Sequence, residues 1–263
     1  MLGIGINTSM PNVIFQFYVP PNDVGKLAHY RGLTAAPEWG LRSVHYFRHY
    51  AERNGASHFF HQKRYVNSIS NYFEKCRIYL DPFFDTFDKL LYVDIDVMPK
   101  DMNRNIFEVE CVDVAGVEEQ NHPAYKNNIS WSKSEIQRRF SAFNAPVVSA
   151  NHNSGWPRMI NSGVMLWSRE ARIKAREKFE DFDKWFQFKN KILDDSVGKE
   201  WGHSSHCLDQ PFFNAMFNKY KFKVNTLPIE WNRFPCEDED YPCVFAHYTQ
   251  DTRYSIPERF PEL

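Results

Sequence analysis

The chain lacks three features that would place it in a class at once: a long apolar run, an excess of one charge, and a cysteine framework. No apolar stretch among its 263 residues is long enough to cross a bilayer, so no membrane span is expected. The first twenty residues have neither a basic n-region nor a cleavage site, so no signal peptide is expected. The sequons at Asn7 and Asn128 then carry little weight. Basic residues number 32 and acidic ones 33, a net charge of −1. Without a basic excess, nucleic acid is not an expected partner. Five cysteines, at 76, 111, 207, 236 and 243, follow no zinc spacing, and an odd number makes no disulfide framework. Cys236 and Cys243 flank the acidic run 237–240, an expected exposed loop, and could pair if oxidised; a reduced, cytoplasmic setting is the simpler expectation. His203, His206 and Cys207 lack a fourth ligand at regular spacing and read as loop. There is no internal repeat and no low-complexity linker.

What is present fits one large α/β domain. Aromatic residues reach 16%, with 23 Phe and 13 Tyr, which points to a core built on phenylalanine. Strand-like runs stand at 13–19, 58–60, 112–117, 163–167, 223–227 and 244–247. Helical patterns lie between them at 37–54 with Gly55 as a stop, at 68–79, at 169–193 and at 211–220. In the third of these, Ala175, Phe179, Phe182 and Phe186 form an amphipathic stripe. Such alternation predicts an α/β sandwich with a mostly parallel sheet. Residues 120–156 are polar, long and irregular, with a helical patch near 136–140, and a long insertion is more often functional than idle.

One stretch carries the chemistry. Lys89 to Met98 begins as a buried strand and stops on Asp94 and Asp96, one residue apart. Ligand sites in parallel sheets lie at the carboxyl ends of strands, and two acids there can offer oxygens to one hard divalent cation. That cation can in turn hold a diphosphate.

Further motifs stand in a fixed order with it: Phe73-Glu74-Lys75-Cys76-Arg77, Ile160-Asn161-Ser162-Gly163-Val164-Met165, Leu208-Asp209-Gln210-Pro211-Phe212-Phe213-Asn214, Leu227-Pro228-Ile229-Glu230-Trp231-Asn232 and Phe245-Ala246-His247-Tyr248. With this set the chain, from about residue 72 to 253, resembles nucleotide-sugar glycosyltransferases of the GT-A fold, and most closely glycosyltransferase family 8, the glycogenin-like group. The resemblance implies a Rossmann-like α/β/α sandwich, a single domain over 1–263 with an acceptor-side insertion at about 120–156. It also implies metal-dependent transfer, with retention, from a nucleoside diphosphate sugar such as a UDP-sugar to a glycan, protein or lipid-linked acceptor.

The resemblance assigns roles residue by residue. Asp94, Asp96 and His247 would hold the cation, with Asp94 also reaching the ribose; such a set beside phosphate suits Mn²⁺ over Mg²⁺. Asn161 and Ser162 would line the donor-sugar pocket. Asp209 would bind the sugar, and Gln210 would sit near the anomeric carbon. Lys75 would point at the sugar or the phosphates, and Tyr18 and Val19 would belong to the donor site. The family has a Gly and a Lys after its His; here Gln250 and Arg253 stand at those positions, and Arg253 can replace the Lys.

Each residue also has a plain structural reading. Residues 161–163 could be a turn, Asp209 a helix N-cap, His247 a core histidine and Lys75 a surface lysine. Trp131 and Trp156 either stack on an acceptor or belong to a local core. Two rival functions are a haloacid-dehalogenase-like phosphatase, which shares the Asp-x-Asp signature, and a catalytically silent sugar-nucleotide or glycan-binding protein.

Overall fold

The computed structural model describes residues 10–19, 35–67, 71–119, 137, 140–141, 143–149, 158–182, 184, 209–235 and 242–258. Most of the insertion 120–156, with Trp131 and Trp156, lies outside them. So do Asn7, Asn128, His203, His206, Cys207, Cys236 and the acidic run 237–240.

Eight strands are described: β1 Asn12–Phe17, β2 Ala56–His61, β3 Lys89–Val93, β4 Val97–Pro99, β5 Val114–Glu118, β6 Ile160–Ser168, β7 Val224–Leu227 and β8 Phe245–His247. Four α-helices accompany them: α1 Glu38–Arg53, α2 Arg77–Leu80, α3 Arg169–Lys178 and α4 Asp209–Lys219. Six strands form one sheet in the order β2-β1-β3-β6-β5-β7, and β4 pairs with β8 in a second. In the large sheet β6 alone runs against its neighbours; the other pairs are parallel. The mostly parallel α/β sheet is therefore as expected.

Strand periodicity explains why both faces are covered. Val13 and Phe15, Leu90 and Tyr92, Met165 and Trp167 point to one face and pack with Ala171 and Ala175 of α3 and Phe212 and Phe213 of α4. The residues between them, Ile14, Leu91, Val93, Val164 and Leu166, point to the other face, against Phe47, Tyr50 and Ala51 of α1. All nine residues of β6 are buried, the pattern of a central strand in a sheet sandwiched between helices. Gly55, just past α1, takes the left-handed φ of +64° that ends a helix without Cβ strain.

Three local readings need correction. The helix expected over 169–193 breaks after Lys178 at an extended Phe179; Phe182 and Lys184 are helical again, and 185–193 lie outside the described residues. Phe179 still packs against Tyr79, Trp167 and Phe222, and Phe182 stacks on Phe73. Phe179 reaches the core where the chain leaves the helical path, so tertiary packing overrides the 3.6-residue pattern there. The helix expected over 68–79 is a 3-10 turn, Asn71–Cys76, followed by the short α2. Residues 161–163 are not a turn before a strand but part of β6 itself. The first strand stops at Phe17, leaving Tyr18 and Val19 buried just beyond it. Gln137, Phe140 and Ser141, the described part of the patch near 136–140, are helical. Among the described residues no helix is long and apolar enough to cross a membrane.

Candidate active site

Asp94 follows the last residue of β3. Its N–H still donates to Gly163 O at 2.8 Å, and Val97 N–H returns to Asp94 O at 3.1 Å, closing a tight turn into β4. Ile95, between the two acids, lies against α1 at Gly40. Strand β8 lies antiparallel to β4, with His247 opposite Val97. Tyr248 N–H donates to Asp96 O at 2.8 Å. The turn and the β4–β8 ribbon thus bring ligand atoms of Asp94, Asp96 and His247 within 4.8 Å of one another. His247 Nε2 faces Asp96 Oδ1 at 3.3 Å, both side chains being buried.

Two cations balance the acids. Lys75 Nζ lies 2.7 Å from Asp209 Oδ2 and 3.2 Å from Asp94 Oδ1, and donates to Ser162 O at 3.2 Å and Ser162 Oγ at 3.1 Å. Burial alone would lower its pKa; Asp209 and Asp94 reverse this, and the ammonium is held on more firmly than in water. Arg253, in the 3-10 turn Gln250–Ser255, donates from Nε to Asp96 Oδ2 at 2.6 Å. Burial pushes the Asp96 carboxyl up, but Arg253 and His247 outweigh it and hold the group well below the usual carboxylate range. Asp94 goes the other way: burial raises its carboxyl against the pull of Lys75. Tyr92 O–H donates to Asp94 Oδ1. Lys75 is therefore no surface lysine; its side chain is 4% exposed.

Ser162 is the hub of the second half of the site. Its hydroxyl donates to Asp209 Oδ2 at 2.8 Å, and its N–H donates to Gln210 Oε1 at 3.1 Å. Gln210 Nε2 in turn donates to Glu119. One turn on, Asn214 accepts from Ile160 N–H at 2.8 Å and donates to Ile160 O at 2.9 Å. Positions 210 and 214, i and i+4 on one face, thus stitch the start of α4 to the backbone of β6. Asp209 stands in the first turn of α4 with its carboxylate engaged by Lys75 and Ser162. Asn161 Oδ1 accepts from Gly163 N–H at 2.9 Å and from Asn232 Nδ2 at 2.8 Å. His247 Nδ1 lies 2.8 Å from Asn232 Oδ1. Tyr18 and Val19 stand beyond β1, where Asn71 Nδ2 donates to Val19 O at 2.8 Å; Lys75 rises from the same turn.

The structure brings Lys75, Asp94, Asp96, Asn161, Ser162, Asp209, Gln210, His247 and Arg253 into one connected cluster. Sequence reasoning missed Tyr92, Glu119, Asn214 and Asn232. The available signal was the amides at 214 and 232, each the closing residue of a motif.

The family model described as Glycosyl transferase family 8 matches residues 39–251. Several solved structures are similar at low identity. A glycosyltransferase involved in glycosylation of the major capsid of PBCV-1 is 12% identical, over 94% of this chain and 96% of that one, with a TM-score of 0.47. The galactosyltransferase LgtC, in complex with donor and acceptor sugar analogs, is 12% identical over 91% and 87%, at 0.48. Mouse xyloside xylosyltransferase 1 is 13% identical over 92% and 99%, at 0.49. No curated protein matches the chain. None of these matches supports the phosphatase or the silent-binder reading.

Proposed function

This chain belongs to glycosyl transferase family 8, and on that premise we propose that it moves a hexosyl or pentosyl unit from a UDP-sugar to a glycan, protein or lipid-linked acceptor. The transfer uses a divalent cation and retains the anomeric configuration. The observation that carries the reading is the convergence of Asp94, Asp96 and His247 beside Lys75 and Arg253. Two carboxylates and an imidazole are a fitting donor set for Mn²⁺ and a poorer one for Mg²⁺. When bound, the cation supplies Lewis-acid neutralisation of the departing diphosphate.

The chain's own residues do the rest. The Arg253 guanidinium offers a bidentate fork to phosphate oxygens. The Lys75 ammonium, fixed by Asp209 and Asp94, is a second positive charge set where negative charge develops. Asp209 and Gln210 orient the sugar; Gln210 cannot turn freely, because Ser162 and Glu119 hold both ends of its amide. The transition state is oxocarbenium-like, as at other anomeric centres. With an amide at 210 in place of a nucleophile, the acceptor hydroxyl attacks from the front face. Tyr18 and Val19 belong to the donor-nucleotide side. The insertion at about 120–156 shapes the acceptor side of what we read as one domain, 1–263, since the described strands share one pair of covered faces.

The test is release of UDP, with Mn²⁺, across a panel of nucleotide sugars, beside the Asp96→Ala variant. Turnover of one donor, lost in the variant, supports the reading and identifies the sugar. No binding of any nucleotide sinks it.

A further inference from the structure

The hydrogen bonds behind His247 determine which of its nitrogens carries the proton. The chain of deduction starts at a group that can only donate, the backbone N–H of Gly163. It lies 2.9 Å from the Asn161 side chain, so the atom it meets there is the oxygen. That oxygen is also 2.8 Å from the Asn232 amide, so Asn232 turns its nitrogen to it. The other atom of the Asn232 amide is then the oxygen, and it lies 2.8 Å from His247 Nδ1. An amide oxygen only accepts, so Nδ1 carries the hydrogen. Nε2 is the ring nitrogen turned to the acids, facing Asp96 Oδ1 at 3.3 Å.

The relay is buried throughout: Asn161 is 7% exposed, Asn232 0% and His247 5%. It also closes on itself. A Cβ on Gly163 would come within 2.3 Å of His247 Cε1, so the residue whose N–H starts the relay also makes room for the ring that ends it.

We propose that Asn232, backed by Asn161 and the Gly163 backbone, is a positioning residue that locks His247 as the Nδ1–H tautomer and so aims Nε2 as a cation ligand. The proposal rests on the metal-site reading above. Its purpose is served before any donor binds, so it is tested on the full chain without nucleotide.

Two readouts decide it. Long-range ¹H–¹⁵N spectra of the metal-free, histidine-labelled protein report the tautomer, with His247 assigned from a His247→Asn variant. Titration of Mn²⁺ alone reports affinity. Wild type is expected to show the Nδ1–H form. Asn232→Leu, which fills the space and accepts no hydrogen bond, is expected to lose that tautomer and to weaken Mn²⁺ binding by about 10- to 100-fold. Asn232→Asp keeps an accepting oxygen at Nδ1 but loses the amide hydrogen that meets Asn161 Oδ1, so it is expected to keep the Nδ1–H form and to lose less Mn²⁺ affinity than Asn232→Leu. A residue that merely filled the core would leave the tautomer unmoved. A ring with no hydrogen on Nδ1 in wild type overturns the proposal, and so does a folded Asn232→Leu protein with wild-type Mn²⁺ affinity. If Asn232→Leu does not fold, the wild-type tautomer and Asn232→Asp decide the matter. Wild-type protein that binds no Mn²⁺ overturns the metal-site reading as well, whereas Mn²⁺ binding with the wrong tautomer overturns this inference alone.

Discussion

At the scale of single residues, the site is a set of charges taken out of water and held by partners that cannot drift. Lys75 meets two carboxylates and two oxygens of Ser162, which satisfies an ammonium that would otherwise be costly to bury. Gly163 is a different kind of necessity. A methyl group there would stand 2.3 Å from His247 Cε1 and 2.9 Å from Nδ1. Strand β6 is bonded on one side to β3 and on the other to β5, so its backbone has little freedom to retreat, and the ring must yield. Gly163→Ala is therefore expected to weaken Mn²⁺ binding by tenfold or more, roughly the cost of disturbing a ligand's support. Its stability should fall by only about 1–3 kcal/mol, the usual cost of overpacking. Calorimetric Mn²⁺ titration beside a thermal melt separates the two effects; unchanged affinity would mean the ring does not need that space.

At the scale of elements, the link between β6 and α3 shows how the fold steadies the acids from a distance. Helix α3 begins directly after β6, with Ser168 Oγ accepting from Ala171 N–H at 3.2 Å as its N-cap. One turn in, the fully buried Arg172 reaches back. Its guanidinium donates to Trp167 O at 2.9 Å, Phe84 O at 3.0 Å and Phe87 O at 2.5 Å. Phe84 and Phe87 belong to the segment that feeds β3, and Asp94 directly follows β3. Burial lowers the Arg172 pKa to about 10, which still leaves it charged at neutral pH. Arg172→Met keeps the stem and removes the donors from these carbonyls and from that of Asp88, so a loss of about 2–5 kcal/mol is expected. Urea denaturation with an unchanged m-value would show it; a loss below about 1 kcal/mol would mean water or neighbours replace the guanidinium. Arg172 was invisible in the sequence, where it reads as one more charge on a solvated helix. The same helix shows the opposite error. Phe179 and Phe182 continue its apolar stripe, but Phe179 meets the core at an extended residue that breaks the helix, and Phe182 from a helical residue beyond that break.

At the scale of the whole molecule, what was legible in the sequence was local or carried by a motif. Continuous apolar runs gave away the doubly covered sheet, and the Asp-x-Asp, Asn-Ser-Gly, Asp-Gln and His elements pointed to one cluster. Partners far apart in sequence were not legible: Asn232 meets Asn161 across 71 positions, and Gln16 meets Asp94 across 78. Gln16 also marks where the molecule is sensitive to acid. Fully buried, it donates to Ser43 Oγ at 3.0 Å and reaches the Asp94 carbonyl. Its oxygen lies 3.0 Å from His58 Nε2, so that nitrogen carries a proton and the ring is neutral with Nδ1 bare. Burial, helped by Arg48, lowers the His58 pKa from 6.5 to about 4. The sign follows from linkage: between pH 6.5 and 4 the unfolded chain takes up a proton that the folded chain refuses, so stability falls as pH falls through that window. The stabilisation is complete above 6.5, and the loss levels off below about 4, at no more than about 3 kcal/mol. His58→Gln can still donate to Gln16 but has nothing to titrate, so it should flatten this part of the stability curve. Urea midpoints for both proteins at several pH values across the window make the test. Carboxylate titrations common to the two cancel in the difference, and a difference that does not vary with pH would show that His58 is as easily protonated in the folded chain as in the unfolded one.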